Sequence, residues 1–282
     1  MNENDLIESL LNNAFAEDIG DGDHSTLACI PADKYGKARL IIKEAGVLAG
    51  VEIAKKVFHK FDPEIKMEVF IQDGAEVKPG DIAFIVEGRD QSLLQTERTV
   101  LNIMQRMSGI ATTTRKYVKK LEGLHTNVLD TRKTTPGLRV LEKMAVKIGG
   151  GVNHRMGLFD MIMLKDNHVD FAGGIEQAIN KTKDYLKEKG KNLKIEIEVR
   201  NLDELEQAMK VGGIDRIMLD NFDIPTTKEA VKRINGRFET ESSGGITIDT
   251  LRDYAECGVD FISVGALTHS VKGLDMSLKA FN

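Results

Sequence analysis

Four predicted strands decide the fold of this chain: Ile195-Glu196-Ile197-Glu198-Val199, Arg216-Ile217-Met218-Leu219-Asp220, Phe238-Glu239-Thr240-Glu241 and Phe261-Ile262-Ser263-Val264. Stretches with helical spacing of their apolar residues separate these strands, over residues 202–211, 226–234 and 247–257. Positions 198, 220, 242 and 264 correspond to one another and follow at steps of 22 residues. Equal βα units are typical of an α/β barrel, whereas an open sheet reverses its strand order.

Two more predicted strands precede this repeat. They are Val128-Leu129-Asp130 and Met161-Ile162-Met163-Leu164, with helices predicted over residues 138–148 and 175–188. Six strands are fewer than the eight of a complete barrel, so the sequence predicts an open, incomplete α/β barrel. In such barrels the chemistry lies at the carboxyl ends of the strands, and we expect the functional site there.

The first part of the chain has a different pattern. Helices are predicted over residues 6–15 and 51–61, and short strands over 38–42, 46–50, 66–70 and 82–88. From Ser92 one helix is predicted to run towards Gly109, and a second helix from there to about Leu121. This part is therefore expected to form a separate α+β piece.

Composition excludes several classes of protein. With a net charge of −5, the chain is not expected to bind nucleic acid in general. Its apolar runs are shorter than the roughly 20 residues of a membrane span, and its first residues lack a leader pattern, so we expect a cytoplasmic protein without membrane contact. Cys29 and Cys257 show no zinc or disulfide spacing, and both are expected to be buried thiols.

Cationic side chains gather near three predicted strand ends, although the whole chain is negative. Arg132 and Lys133 lie on the turn Thr131–Arg139, His154 and Arg155 follow Gly149-Gly150-Gly151, and Lys165 ends a strand. Such a cluster indicates a small, strongly anionic ligand. The three glycines follow a helix instead of a strand, so they are interpreted as a helix cap and not as a dinucleotide-binding loop.

Acidic and small residues occupy the ends of the later strands. Glu198 and Asp220 have matching positions, and such acids can bind Mg²⁺, hold ribose hydroxyls or stabilise positive charge on a sugar. Glu196 shares a strand face with Glu198, and either of the two can reach the site. Strand-to-helix turns at Ser242-Ser243-Gly244-Gly245 and at Gly265-Ala266 predict a phosphate cradle built from backbone amides.

Several motifs occur in a fixed order along nearly the whole chain, and with them it resembles the quinolinate phosphoribosyltransferase family, also called the carboxylating nicotinate-nucleotide pyrophosphorylases. These motifs are Glu17-Asp18-Ile19-Gly20-Asp21-Gly22-Asp23, Glu97-Arg98-Thr99-Val100-Leu101-Asn102, Asp130 to Arg139, Gly150 to Arg155, Leu164-Lys165-Asp166-Asn167-His168, Glu196-Ile197-Glu198-Val199, Leu219-Asp220-Asn221-Phe222, Glu241 to Gly245, and Ile262 to Leu267.

The resemblance implies a domain organisation and an assembly. Residues 1–108 are expected to form an N-terminal α/β sandwich domain completed by residues 268–282, and residues 109–267 an open α/β barrel of six or seven strands. The family likeness also implies a homodimer, or a hexamer built of dimers, in which Arg98 is supplied across the interface to the neighbouring site.

The resemblance also implies roles for individual residues. Arg98, Arg132, His154, Arg155 and Lys165 would bind quinolinate, with Lys165, Glu198 and Asp220 as the catalytic set. Glu198 and Asp220 would also hold Mg²⁺. Phosphoribosyl pyrophosphate would contact Lys133, Glu198, Asp220, Ser242, Ser243, Gly244, Gly245, Gly265 and Ala266.

The reaction implied is transfer of phosphoribosyl from phosphoribosyl pyrophosphate to quinolinate with loss of CO₂, giving nicotinate mononucleotide and pyrophosphate for NAD biosynthesis. Two alternatives stay open from the residues alone. One is a pyridine phosphoribosyltransferase that does not decarboxylate, including the paralogues of molybdate-transport operons. The other is an inactive sensor of phosphorylated sugars, which would not need the Glu198 and Asp220 pair.

Overall fold

A computed structural model describes residues 2–281 of the chain. Its helices are α1 (Glu3–Asp18), α2 (His24–Cys29), α3 (Val51–Phe61), α4 (Asp90–Lys120), α5 (Arg139–Ile148), α6 (Asp166–Ala172), α7 (Ile175–Lys189), α8 (Leu202–Val211), α9 (Ile224–Ile234), α10 (Leu251–Ala255) and α11 (Ala266–His269). Its strands are β1 (Tyr35–Ile42), β2 (Gly46–Val47), β3 (Lys66–Val69), β4 (Glu76–Val77), β5 (Ile82–Arg89), β6 (Asn127–Leu129), β7 (Ile162–Leu164), β8 (Ile195–Val199), β9 (Arg216–Asp220), β10 (Glu239–Ser243), β11 (Phe261–Ser263) and β12 (Met276–Phe281).

Internal contacts divide the chain into two compact units. The first contains the residues up to Arg115, the segment Thr134–Gly150 and the residues from Ala266 onward. The second contains Lys116–Lys133 and Gly151–Gly265. The domain boundaries given by the sequence, 1–108 with 268–282 and 109–267, stay a prediction.

The first unit is built on an antiparallel sheet with the strand order β12-β1-β5-β3. Alternate residues of β1, namely Ala38, Leu40 and Ile42, are buried, as expected for a strand with one face on a core. The helix α3 contributes a buried face that includes Val57 and Phe58. A separate pair, β2 and β4, is also antiparallel.

One continuous helix, α4, replaces the two helices predicted on either side of Gly109. This glycine does not end the helix, because its missing side chain serves close packing. A Cβ at position 109 would collide with the backbone carbonyl of Lys272. Gly149, in contrast, lies directly after α5 as its C-terminal cap, and Gly150 has a left-handed φ of 97°, which confirms the predicted helix end.

Six parallel strands form the sheet of the second unit, in the order β6-β11-β10-β9-β8-β7. The first of them, β6, pairs with the last, β11, as in a barrel. Val152 adds an isolated parallel bridge to Leu129 of β6. Among residues 2–281 the strands β6 and β7 remain the two edges of the sheet, so the prediction of an open α/β barrel together with an N-terminal sheet is confirmed.

The outer face of this sheet is apolar and covered by helices. Ile197, Val199, Ile217 and Leu219 are fully buried on that face, and α7 packs on α8, α8 on α9 and α9 on α10. Strand alternation directs the residues between them to the inner face. The inner face is therefore where Glu196, Glu198 and Asp220 must lie.

Two further observations bear on the sequence analysis. Cys257 is buried but Cys29 is exposed, so the expectation of two buried thiols is wrong for Cys29, which ends a short helix in which Thr26 is the buried residue. Within residues 2–281, no helix combines the length and the apolarity that crossing a bilayer requires.

Candidate active site

The carboxyl ends of neighbouring strands bring several of the predicted residues together. Lys165 directly follows β7, Glu198 lies near the end of β8, and Asp220 ends β9. The ammonium of Lys165 lies 3.1 Å from Oε2 of Glu198. Because β7, β8 and β9 are parallel neighbours, these three side chains share one edge of the sheet.

Glu198 and Asp220 are electrostatically coupled. Burial raises the pKa of Glu198; the hydrogen bond from Lys165 opposes this shift, and the negative charge of Asp220 adds to it. Both groups offer carboxylate oxygens, the ligand type that Mg²⁺ prefers. A divalent cation would relieve their mutual repulsion, so this pair fits the predicted metal site.

Asp220 is held in place by its neighbours at the strand ends. The hydroxyl of Ser243 donates to Oδ1 of Asp220 at 2.6 Å, and the side-chain amide of Asn221 donates to Oδ2 at 2.7 Å. Asn221 has a left-handed φ of 56°, and its backbone N–H donates to the carbonyl of Ser243 at 2.9 Å. Asp220 is therefore fixed in orientation, and one of the two predicted phosphate-binding serines contacts it.

The predicted cations form a second group at the site. Burial lowers the pKa of Arg155, and the nearby positive charge of Arg132 lowers it further. The guanidinium of Arg155 also donates to the backbone carbonyl of Met161 at 3.2 Å. Arg132 and Lys133 follow the end of β6, and Lys133 is exposed. Arg132 and Arg155, which are 23 residues apart in sequence, are thus close enough to interact electrostatically.

A pairing that the sequence analysis missed places His154 and Arg155. The backbone N–H of Val152 donates to the carbonyl of Val128 at 2.8 Å, so this segment lies along β6 like an additional short strand. The fully buried carboxylate of Asp130 then accepts the backbone N–H of His154 at 2.8 Å. A buried acid at a predicted strand end, as in Val128-Leu129-Asp130, is the signal that could have indicated this anchor.

His154 itself points into the sheet and not to solvent. Its Nε2 lies 2.9 Å from Oε2 of Glu196 and 3.4 Å from Oε2 of Glu241, and all three side chains are buried. The same Glu241 oxygen lies 3.1 Å from the guanidinium of Arg216. The sequence analysis did not assign a role to Glu241 or Arg216, although charged residues on the inner face of consecutive strands are unusual for a barrel.

The protonation state of His154 is constrained in two ways that disagree. Burial lowers its pKa, but hydrogen bonds with Glu196 and Glu241 outweigh burial and raise the pKa to about 9. Its Nδ1, however, accepts the backbone N–H of Arg155 at 2.7 Å, which a doubly protonated ring cannot do. Two N–H groups cannot face each other at that distance, and we therefore assign the neutral tautomer with its proton on Nε2.

Depth along β8 distinguishes Glu196 from Glu198, the two glutamates that the sequence allows to reach the site. Glu196 pairs in register with Met163 and Arg216 and is fully buried, whereas Glu198 lies one inward-facing position nearer the carboxyl end and is 8% exposed. Glu198 is thus the carboxylate at the open edge of the sheet. Glu196 lies beneath it, against His154.

The remaining predicted site residues lie on several different elements. Ser242 is buried and alternates with Ser243, so it faces the helix layer, and Gly244 and Gly245 follow with left-handed φ values of 95° and 62°. Gly265 closes the second unit beyond β11. Ala266 begins α11 in the first unit, and Arg98 is exposed on α4 in that unit. The roles of these residues stay predictions.

A cavity of about 450 Å³ lies beyond the ends of β8 and β9. Its walls include Asn201 at the N-terminal end of α8 and Asp223 at that of α9, together with Arg200 and Asn221. It adjoins Glu198 and Asp220 along the chain. Neither Glu198 nor Asp220 lines this cavity, although Arg200 and Asn221 follow them closely in sequence.

Comparison with known proteins gives matches over most of the chain. The family model described as quinolinate phosphoribosyl transferase, N-terminal domain, matches residues 23–108, and that of the C-terminal domain matches residues 110–279. The quinolinate phosphoribosyltransferase [decarboxylating] 1b of Nicotiana tabacum is 44% identical, over 97% of this chain and 82% of the relative.

A bacterial relative and a solved structure agree with these matches. The probable nicotinate-nucleotide pyrophosphorylase [carboxylating] of Bacillus subtilis is 42% identical, over 96% of this chain and 92% of the relative. The crystal structure of NadC from Streptococcus pyogenes is 40% identical with a TM-score of 0.92, and the match covers 98% of this chain and 97% of that one.

Proposed function

The chain belongs to the quinolinate phosphoribosyltransferase family, and we propose that it joins quinolinate to phosphoribosyl pyrophosphate with loss of CO₂, as a nicotinate-nucleotide pyrophosphorylase of NAD biosynthesis. One observation carries the assignment of the site: a cationic group, Arg132 and Arg155, and an acidic pair, Glu198 and Asp220, occur at carboxyl ends of the same parallel sheet, with Lys165 contacting the acidic pair.

The cationic group suits a pyridine with two adjacent carboxylates. Arg132 and Arg155 offer planar guanidinium groups that bind carboxylates through two hydrogen bonds, and Lys165 adds a compact positive charge. Burial lowers the pKa of Arg155 and the positive charge of Arg132 lowers it further, so the two arginines repel each other. A dianionic ligand removes this repulsion, and we propose that quinolinate is bound here.

The acidic pair and the glycine turns suit the sugar phosphate. We propose that Glu198 and Asp220 contact the ribose, that Lys133 and the turns at 242–245 and 265–266 bind phosphate groups, and that the same two acids hold Mg²⁺. When bound, Mg²⁺ would neutralise charge on the pyrophosphate that leaves.

The chain's own residues then have distinct tasks in the reaction. The pyridine nitrogen of quinolinate attacks the anomeric carbon as the bond to pyrophosphate breaks, and the carboxylates of Glu198 and Asp220 stabilise the positive charge that develops on the sugar. When the bond between C2 and its carboxylate breaks, the electron pair stays on C2, where the adjacent quaternised nitrogen stabilises it. Lys165 stabilises that pair until C2 is protonated, and CO₂ is released.

We also propose a homodimer, or a hexamer of dimers, in which Arg98 completes the site of the neighbouring copy, and a cytoplasmic location. The support is the exposed position of Arg98 on α4 and the family membership. Sedimentation of the wild-type protein, together with mixing of an inactive Arg98→Ala chain and an inactive Arg132→Ala chain, tests this. Partial recovery of activity in the mixed oligomer is expected only if Arg98 acts across an interface.

The reaction is tested with purified protein, Mg²⁺, phosphoribosyl pyrophosphate and quinolinate labelled at its 2-carboxylate. Equal amounts of nicotinate mononucleotide, pyrophosphate and labelled CO₂ are expected. Nicotinate replaces quinolinate as the control substrate and should not be turned over. Turnover of nicotinate without CO₂ would support the non-decarboxylating alternative, and absence of turnover with either pyridine would support an inactive sensor.

The binding roles are tested by calorimetry on Arg132→Ala. Quinolinate affinity should fall at least about tenfold, since a charge-assisted pair is removed, while affinity for phosphoribosyl pyrophosphate changes far less. Equal quinolinate affinity in the variant and the wild type would contradict the proposed role of Arg132.

A further inference from the structure

Beneath the proposed active site, the inner face of the sheet contains a buried charged cluster that the reaction scheme does not use. We define this inner cluster as His154, Glu196, Arg216 and Glu241. Nε2 of His154 lies 2.9 Å from Glu196 and 3.4 Å from Glu241, and Glu241 lies 3.1 Å from Arg216. Glu196 and Glu241 are fully buried, and Arg216 and His154 are below 10% exposed.

The fold does not require such a cluster. Barrel interiors are usually filled by branched aliphatic side chains, and burying ion pairs costs more desolvation than well-packed apolar residues do. His154, Glu196 and Glu241 are also residues of types that bind metal ions, and one potential ligand atom of each lies within 4.8 Å of those of the other two. Their separations, however, are hydrogen-bond distances between the groups themselves, and the cation of Arg216 already lies against Glu241.

The inner cluster connects directly to the cationic part of the site. Nε2 of His154 lies 2.9 Å from Glu196 and 3.4 Å from Glu241, and its Nδ1 accepts the backbone N–H of Arg155 at 2.7 Å. On the other side, Asp130 holds the backbone N–H of His154 at 2.8 Å. The orientation of the imidazole therefore determines where the backbone of Arg155 lies.

We propose that Glu196, Glu241 and Arg216 are positioning residues for quinolinate binding: the two carboxylates hold His154 in one orientation and tautomer, His154 holds Arg155, and Arg216 keeps Glu241 charged and in place. This inference rests on the proposed function, since it assigns the inner cluster to the quinolinate half of the same site. The half that binds phosphoribosyl pyrophosphate, around Glu198 and Asp220, has its own supports in Ser243 and Asn221.

The test compares Glu196→Leu with Glu196→Gln in steady-state kinetics at saturating co-substrate. The leucine variant has no acceptor for the Nε2–H of His154, so its KM for quinolinate should rise about 10- to 100-fold, while its KM for phosphoribosyl pyrophosphate stays within about twofold. The glutamine variant keeps a carbonyl acceptor and should recover most of the quinolinate affinity. Glu239→Gln is the matched control, because Glu239 is a partly exposed partner of Arg216 at the amino-terminal end of β10, and this substitution should leave both KM values unchanged.

A second measurement keeps the inference testable if the leucine variant does not fold. Ring ¹⁵N shifts of His154 should indicate the Nε2–H tautomer in the wild type, in Glu196→Gln and in Glu241→Gln, because each glutamine keeps a carbonyl acceptor. An imidazolium in the wild type, or a folded Glu196→Leu enzyme with unchanged quinolinate KM, would overturn the inference. So would equal losses for both substrates. Inactivity of the wild-type protein on quinolinate would instead refute the proposed function itself.

Discussion

Glu196 and Glu198 are two residues apart on the same face of β8, and they have opposite surroundings. Glu198 lies at the carboxyl end of the strand, with Lys165 at 3.1 Å. Glu196 lies one step deeper, fully buried against His154 at 2.9 Å. Identical side chains on one strand thus belong to two different regions, the acidic edge of the site and the inner cluster.

This difference shows that depth along a strand decides what a carboxylate can do. At the edge, a carboxylate can exchange its lysine partner for a substrate or a cation. In the interior, burial and the charge of Glu241 raise the pKa of Glu196 to about 7, and its neighbours are buried side chains of the protein instead of solvent. We therefore expect edge residues to govern chemistry and inner residues to govern stability and positioning.

The largest effect on stability is expected when a carboxylate of the inner cluster is removed. Glu241→Ala leaves Arg216 buried without its inner partner, and we expect a loss of roughly 3–5 kcal/mol in the free energy of unfolding. Urea denaturation measures it. Glu239→Ala removes the half-exposed outer partner of Arg216 and should cost at most about 1 kcal/mol. Equal losses in the two variants would show that burial does not separate these contacts.

At the edge, the expected effect is on catalysis. Glu198→Gln removes a charge that stabilises the developing cation, so kcat should fall by about 10²–10³-fold, or roughly 2.7–4 kcal/mol. The free energy of unfolding should change by less than about 1 kcal/mol, because burial already penalises the charge of this group. Glu206→Gln, which changes an exposed carboxylate of α8 that pairs with Arg233, is the control and should retain full activity. If Glu198→Gln lost stability but kept its kcat, the proposed catalytic role of Glu198 would be contradicted.

A smaller effect on catalysis is expected at Gly244, which lies against Asn221, the residue whose side chain holds Asp220. A Cβ at Gly244 would lie 2.9 Å from the backbone nitrogen of Asn221 and collide with its side chain, whereas a Cβ at Gly245 meets nothing within 4 Å. Gly244→Ala should displace Asn221, loosen Asp220 and lower kcat/KM for phosphoribosyl pyrophosphate about tenfold, which is about 1.4 kcal/mol. Gly245→Ala should lower it less, with about 1–2 kcal/mol of backbone strain.

Comparing Gly244→Ala with Gly245→Ala tests whether activity depends on the orientation of Asp220. Circular dichroism should show that both fold, and steady-state kinetics should separate them. If Gly245→Ala is the more damaged enzyme, the backbone of that turn matters more than the orientation of Asp220.

The smallest expected effect is a pH dependence of stability that arises from Glu196 in the inner cluster. Burial and then repulsion from Glu241 raise the pKa of Glu196 from 4.5 to about 7. The folded state thus binds this proton more tightly than the unfolded chain, so its contribution to stability is present below pH 4.5 and is lost as pH rises to about 7. Urea midpoints of the wild type should fall over this range relative to Glu196→Gln. Parallel curves for the two proteins would contradict the raised pKa.

Much of the fold was predictable because its signals are local. The bounds of β8, β9 and α8 agree with the sequence prediction, since apolar periodicity and turn residues act within a few positions. β10 extends two residues further than predicted, and α10 is shorter than the predicted helix. The break at Gly109 was wrong because the reason for that glycine is a backbone more than 160 residues away in sequence, at Lys272.

The site was predictable in part. Lys165, Glu198 and Asp220 follow from strand ends alone, and their contacts confirm that they share one edge. The pairing of residues 151–155 with β6 and the partners of His154 were missed, because they involve segments without a common period. Asp130, Glu241 and Arg216 are buried polar groups, whose importance appears only when their partners are known.

The sequence by itself determined which residues form strands and which face of the sheet each side chain takes, since alternation and periodicity are properties of neighbouring residues. Only the tertiary structure decided that Glu196 meets His154 and that Glu241 meets Arg216. These contacts depend on how the sheet curves and on the order of its strands, and the strength of each interaction depends on distance and burial between residues remote in sequence.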